Sequence, residues 1–374
     1  MTRRIRVVSI IGTRPEVIKM APVILELRRR ETMFEQIILA TGQHRELLDQ
    51  AFSVFGLKSD INLDLMEHNQ GLADFSSRAL KSLSDTLSQL RADFVLIEGD
   101  TTTVMVAAMA AFYQSIPVGH VEAGLRSFDH KNPFPEEINR RITGCLASVH
   151  FAPTERARRN LLSEGVREGS IFLTGNTVVD ALSAIPLKGN FESTELSRIN
   201  FDDRRILLVT AHRRENQGVP LRSICRALKT LASDFQDLEI VYPVHPNPNV
   251  TAVVREELKD VRRIHLLSPI SYSDLLRLMK RCYFILTDSG GIQEEAPSFH
   301  KPVLILREVT ERPELVEVGG GKIVGTDAQR IICEASRLLT DSGEYKKMSE
   351  VENPFGDGHA AERIVRALEK VVWP

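Results

Sequence analysis

The sequence predicts an α/β protein built from two Rossmann-like, doubly wound domains facing a cleft. Short β-branched runs alternate with amphipathic stretches along the chain, the pattern of a parallel sheet covered by helices. These runs fall into two series separated by one polar segment. The length of 374 residues also exceeds that at which a single core usually stops growing.

In the first series the runs are Val7 to Ile11, Ile37 to Leu39, Phe94 to Ile97, Val118 to Val121, Val149 to Ala152 and Ile171 to Leu173. In the second they are Ile206 to Val209, Glu239 to Tyr242, Ile264 to Leu267, Phe284 to Leu286 and Val303 to Leu306. The polar stretch from Ile185 to Arg205 is the natural linker, which puts the domains at 1–184 and 185–359. The last amphipathic stretch, within 360–374, is a candidate to pack back on the first domain. Open α/β sheets bind ligands beyond the carboxyl ends of their strands, so loops from both halves are expected to line the cleft.

Composition narrows the classes of partner. With 48 Lys and Arg against 50 Asp and Glu there is no basic excess, so neither nucleic acid nor an anionic membrane is favoured. Arg3, Arg4 and Arg6 precede the apolar run VVSII, but that run is too short for a signal peptide and meets GTRPEV instead of a cleavage site. No stretch approaches the roughly 20 apolar residues that span a bilayer. The cysteines Cys145, Cys225, Cys282 and Cys333 are far apart and form no CxxC. The expectation is a soluble cytoplasmic protein with reduced, buried thiols. No metal is expected, because the histidines lack HExxH or a similar spacing. The absence of GxGxxG and GxxxxGK[ST] argues against a dinucleotide fingerprint or a P-loop.

The chemistry concentrates in the loops. GDTTT (Gly99 to Thr103), HVEAGLRS (His120 to Ser127) and PFPEE (Pro133 to Glu137) place Asp100, Glu122 and Glu136 at the ends of predicted elements. Proton transfer on a polyhydroxylated substrate needs carboxylates approaching from more than one side. The bland alternatives are a helix-capping role for Asp100 and a helix-starting acid for Glu136. GTRPEVIK sets Arg14 beside a helix start at Pro15, with Lys19 one turn further on, a ready anion site. TAHRREN puts His212, Arg213 and Arg214 after a predicted strand, where they suit a diphosphate. DSGGIQEEA lets the backbone of Ser289, Gly290 and Gly291 approach phosphate oxygens, with Glu295 placed to accept from ribose hydroxyls. His245 reads alone as structural and Arg312 as a solvated ion pair between acids.

GTRPEVIKMAP, GQHRELLDQ, GDTTT, PVGHVEAGLRS, PFPEEINRR, TGNTVVDAL, TAHRREN, YPVHPNPNV, TDSGGIQEEAPS and TERPE occur in that order. Together they closely resemble the non-hydrolysing UDP-N-acetylglucosamine 2-epimerases over nearly the whole chain. The resemblance implies the two-domain fold of the GT-B glycosyltransferases, a homodimer, no cofactor, and interconversion of UDP-GlcNAc and UDP-ManNAc for bacterial surface polysaccharides. It implies a catalytic set of Lys19, Asp100, Glu122, Glu136 and His212. The implied UDP set is Arg14, Arg213, Ser289, Gly290, Gly291, Glu295 and Arg312. An allosteric UDP-GlcNAc site of the kind some bacterial members use would match Gln43, Gln70, Arg213 and His245, with Glu46 where some relatives carry Gln. Glu98 departs from the His or Gln usual before GDTTT. It is expected to share a strand face with Asp100, which would raise one carboxyl pKa.

The alternatives are a 2-epimerase of a related UDP-2-acetamido sugar, a GT-B glycosyltransferase, a hydrolysing relative that releases free ManNAc, and a non-catalytic nucleotide-sugar sensor. Three acids together exceed what a transferase or a sensor needs.

Overall fold

The computed structural model describes residues 3–42, 45–67, 70–131 and 133–370, with the side chains of 45–47 left out. It contains two parallel sheets. The first orders β1 (Ile5–Ile11), β2 (Phe34–Ala40), β3 (Ile61–Asn62), β4 (Phe94–Glu98), β5 (Val118–Val121), β6 (Val149–Ala152) and β7 (Ile171–Leu173) as 3-2-1-4-5-6-7. The second orders β8 (Arg205–Thr210), β9 (Leu238–Pro243), β10 (Ile264–Leu267), β11 (Phe284–Thr287), β12 (Val303–Ile305) and β13 (Gly321–Ile323) as 10-9-8-11-12-13. Each order reverses once, at β1/β4 and at β8/β11, and ligands of open sheets bind at such a reversal. GTRPE follows β1 and GDTTT follows β4; TAHRREN follows β8 and DSGG follows β11. The four loops with the most chemistry in them thus flank the two switch points in pairs.

Burial on both faces explains the near-continuous apolar runs. Val7, Val8, Ile10 and Ile11 of β1 and Phe94 to Ile97 of β4 are all buried. One face of this sheet packs on the helices Leu72–Leu90 and Thr102–Tyr113 through Ala79, Leu83, Val104 and Ala108. The second sheet buries Leu207, Val209, Ile240, Tyr242 and Leu286 against the helices Val219–Asp234 and Ala328–Thr340.

By its contacts the chain divides into Met1–Ile185 with Phe355–Pro374 as one unit and Pro186–Pro354 as the other. The helix Ala360–Lys370 lies within the first unit. The Asp180 carboxylate accepts the N–H groups of Ala360 at 3.2 Å and Ala361 at 2.8 Å, a cap supplied from far along the chain. Arg363 Nη1 donates to the Thr174 carbonyl at 3.0 Å. Phe355 O accepts from Asn176 N–H at 2.6 Å, with Gly175 at φ 87° and Gly356 at φ 150° letting the two segments meet.

Two expectations are corrected. Cys225 and Cys282 are buried, but Cys145 and Cys333 are exposed. The chain also carries two strands that its β-branched runs do not mark, β3 and β13. No helix among the described residues is long and apolar enough to cross a membrane.

Candidate functional site

At the first switch point Thr13 caps the helix Arg14–Arg29 in a capping box, because Glu16 Oε2 turns back to accept Gly12 N–H at 2.5 Å and Thr13 N–H at 3.2 Å. The Glu16 carboxyl thus takes up the Gly12 and Thr13 N–H groups at this helix end. Thr101 Oγ1 donates to Glu16 Oε1 at 2.7 Å and ties the β1 loop to the β4 loop. A Cβ on Gly12 would lie 2.5 Å from Thr103 Oγ1, so this approach requires glycine. Arg14 is the first helical residue and is half-buried.

Burial pushes the Glu16 carboxyl up to about 7 against its hydrogen bonds to Gly12 and Thr101. A folded-state pKa raised from 4.5 adds stability fully below pH 4.5, and that stability is lost as pH rises through 7. Glu16→Gln keeps an oxygen for the Gly12 and Thr13 N–H groups and does not titrate. The stability advantage of wild type over this variant, read from urea midpoints, is expected to grow as pH falls from about 7 to about 4.5 by up to ~1.4 kcal/mol per unit. Parallel curves would refute it.

Lys19, one turn up the same helix, contacts Glu122 Oε2 and lies 3.6 Å from Glu98 Oε1. Glu122 follows β5 in the left-handed region at φ 62°, a conformation that stores of order 1–3 kcal/mol and clusters at functional sites. Asn176 Nδ2 donates to the same Oε2 at 2.9 Å. Beneath this turn His120 Nε2 meets the Gly99 carbonyl at 2.8 Å, and burial holds His120 at about 3. His150, its registered neighbour on β6, is held at about 4 for the same reason. Both imidazoles are therefore neutral at physiological pH.

Asp100 stands just beyond β4. The cap of the helix Thr102–Tyr113 is Thr101, so the capping alternative for Asp100 does not hold. Instead Arg140 Nη2 meets Asp100 Oδ2 at 2.5 Å, and Asn139 Nδ2 donates to the Asp100 carbonyl at 2.9 Å. Both come from the helix Glu136–Leu146, which begins at the third acid. In that helix the buried Glu137 accepts Ser127 N–H at 2.9 Å. Burial raises its carboxyl, but the Ser127 N–H, Arg141 and Arg140 together hold it below the usual carboxylate range. Glu136 starts the helix and lines a cavity of about 270 Å³ with Thr13, Gln70, Phe75, Thr101 and Asn139. Its Oε2 is buried there without a hydrogen bond. Gln70 contacts Met66 Sδ at 2.6 Å and Arg78. Gln43 and the side chain of Glu46 lie outside the described residues.

At the second switch point the Asp288 carboxylate organises the loop after β8. Its Oδ2 accepts His212 N–H at 2.8 Å, Arg213 N–H at 2.8 Å and Asn216 Nδ2 at 2.9 Å. Asp288→Ala strands these donors and is expected to destabilise this half by roughly 2–4 kcal/mol, read as a lower urea midpoint. An unchanged midpoint would show that the loop is held otherwise. Below this cluster Thr210 and Thr287 join β8 to β11 through their hydroxyls at 2.6 Å. A Cβ on Gly290 would lie 3.7 Å from Arg213 Nη2 and 3.9 Å from the Arg312 guanidinium, so two guanidiniums flank the bare Gly290 backbone. The His212 and His245 rings stack at 5.1 Å. Burial first, then His212, lowers the His245 pKa, and Asp288 partly offsets this. Glu295 Oε1 accepts the Tyr272 hydroxyl at 2.7 Å.

Several readings change. Arg312 is no solvated ion pair: it is buried, and its Nε contacts the buried Glu294. After β8 the chain enters a short 3-10 turn, Arg214–Asn216, in which Arg214 is exposed. Glu98, the last residue of β4, lies by Lys19, and Asp100 lies past the strand end against Arg140, yet the expected effect remains, since Asp100 is among the groups that raise the Glu98 carboxyl, after burial. Sequence reasoning missed Glu16, Arg140, Asn176, Asp288 and Glu294 as parts of the two clusters. Thr-x-x-Glu is itself a capping signature, so Glu16 was readable; Arg140, in EEINRR, has no such signal.

Known proteins resemble this chain over nearly its whole length. Residues 26–369 match the family described as UDP-N-acetylglucosamine 2-epimerase. A UDP-N-acetylglucosamine 2-epimerase of Escherichia coli (strain K12) is 48% identical over 370 residues, covering 97% of this chain and 98% of its own. The crystal structure of UDP-GlcNAc 2-epimerase from Neisseria meningitidis bound to UDP-GlcNAc aligns with a TM-score of 0.91 at 44% identity, over 98% of this chain and 100% of that one. The S. aureus MnaA-UDP co-structure aligns at 0.89 and 46% identity, over 97% and 96%. With their GT-B-like α/β fold and near full-length identity, the chain belongs to the UDP-N-acetylglucosamine 2-epimerase family.

Proposed function

We propose that the protein interconverts UDP-GlcNAc and UDP-ManNAc by eliminating UDP to 2-acetamidoglucal and adding it back. The observation that carries this reading is the set of oriented carboxylates in the first unit, Glu122 against Lys19 and Asp100 against Arg140; in the second unit, taken by itself, two guanidiniums flank the bare Gly290 backbone. The relatives solved with UDP-GlcNAc and with UDP support the same class of ligand.

The order of events follows from acidity. The proton on the carbon bearing the acetamido group has no neighbouring carbonyl, so direct abstraction by a carboxylate is prohibitively slow. Departure of UDP from the anomeric carbon builds oxocarbenium character and acidifies that proton. A carboxylate then removes it, protonation on the opposite face follows, and UDP returns. Asp100, Glu122 and Glu136 move the proton and stabilise the cation, each acid–base contribution being about 10²–10⁴-fold. Lys19 and Arg140 hold two of them in place. Arg213, Arg312, Arg14, His212, Ser289 and the Gly290 and Gly291 backbone stabilise the departing diphosphate, where preorganised charge is commonly the largest contribution. Glu295, oriented by Tyr272, takes the ribose hydroxyls. Incubating the protein with UDP-GlcNAc and separating the nucleotide sugars tests the reading: UDP-ManNAc in equilibrium with substrate is expected, whereas free ManNAc with UDP would replace it with hydrolysis.

A further inference from the structure

Glu98 closes β4 and has no part in the scheme above. Its residue is 2% exposed, and its Oε1 lies 3.6 Å from Lys19 Nζ. The same ammonium is in tighter contact with Glu122, which also holds the Asn176 N–H. Glu122 after β5, Glu16 on the helix of Lys19 and Asp100 further along its own chain all disfavour the charged form of Glu98. One buried cation does not neutralise two adjacent carboxylates, and closely spaced carboxyls in unequal environments separate into an ionised and a protonated member. Glu122 has the closer cation and a second donor.

We propose that Glu98 is a positioning residue: it remains a neutral carboxylic acid, leaves the Lys19 ammonium to Glu122, and so keeps Glu122 ionised and fixed in place. The inference rests on the functional reading above, which gives Glu122 its task. The direction of the Glu98 titration agrees, because burial first and the neighbouring acids next hold it well above the carboxylate range against the pull of Lys19. Raising the pH enough to ionise Glu98 creates a charge that competes for Lys19 and repels Glu122. The consequence is a fall in kcat on the alkaline side at constant KM, since the diphosphate contacts are unaltered.

The test uses the full chain in two arms. In the first, protein carrying ¹³C at the glutamate side-chain carboxyls is titrated by NMR, with Glu98→Gln and Glu98→Asp assigning the signal and Glu16→Gln identifying the other raised glutamate. A Glu98 carbon still protonated at neutral pH is expected; an ionised one overturns the proposal whatever the activity. In the second, kcat and KM for UDP-GlcNAc are followed against pH. The alkaline fall in kcat is expected to persist in Glu98→Asp and to move up by about one pH unit or more in Glu98→Gln. Superimposable profiles overturn the proposal. Should Glu98→Gln fail to fold, the wild-type titration and the aspartate variant decide. A wild-type protein that turns over no nucleotide sugar overturns the functional reading and with it the positioning role, and the first arm separates that failure from a wrong charge at Glu98.

Discussion

Replacing Glu122 by glutamine is expected to lower kcat by about 10²–10⁴-fold, the usual contribution of one positioned acid or base. Glutamine preserves the length of the side chain and an oxygen for the Asn176 N–H, so the strained turn at φ 62° keeps its anchor. It removes the charge that Lys19 contacts, and Glu98 is the nearby carboxyl to which that ammonium then turns. The loss should fall in kcat more than in KM, because an interaction made mainly in the transition state has been removed. A variant within a few-fold of wild type would take Glu122 out of the proton-transfer set.

Arg213→Ala should have a comparable effect through different physics. Removing one preorganised donor from a developing oxyanion costs about 10²–10³ in kcat, and here UDP affinity should fall as well. Stability should hardly change: the Arg213 side chain is 27% exposed and lies 3.9 Å from Glu311, and such loose pairs are worth about 0–1 kcal/mol. Arg312 makes the instructive contrast. Its guanidinium contacts a buried Glu294, and breaking a buried pair costs about 3–5 kcal/mol, so an Arg312→Ala variant reports on folding as much as on phosphate binding. Calorimetric titration with UDP alongside thermal melts separates the two cases. An Arg213→Ala protein that binds UDP as wild type does would remove Gly290's neighbourhood from the diphosphate site.

The strands that the sequence revealed are those with a run of three or more mostly apolar residues. β5 and β6, buried throughout, coincide with their runs because a parallel strand under helices is buried on both faces, and the edge strands β7 and β10 coincide with theirs although Leu173 is exposed and His265 half-buried. β3 is two residues long, and β13 begins at Gly321 with a lysine in its centre, so neither offers an apolar run to read. In the site, loop position was legible because chemistry-bearing motifs followed strands. Pairing was not: Arg140 reaches Asp100 from a helix 40 residues on, and Asp288 serves a loop before the preceding helices. Arg312 was misjudged for the same reason, since Glu311 and Glu314 beside it in sequence suggested solvent whereas its closest partner is Glu294, from another helix.

Proton NMR of the protein with UDP-GlcNAc in deuterated water tests the elimination and re-addition account most directly. The account predicts that solvent deuterium enters at the acetamido-bearing carbon as the anomeric signals of UDP-GlcNAc and UDP-ManNAc come to equilibrium. Epimerisation with that proton fully retained would contradict it.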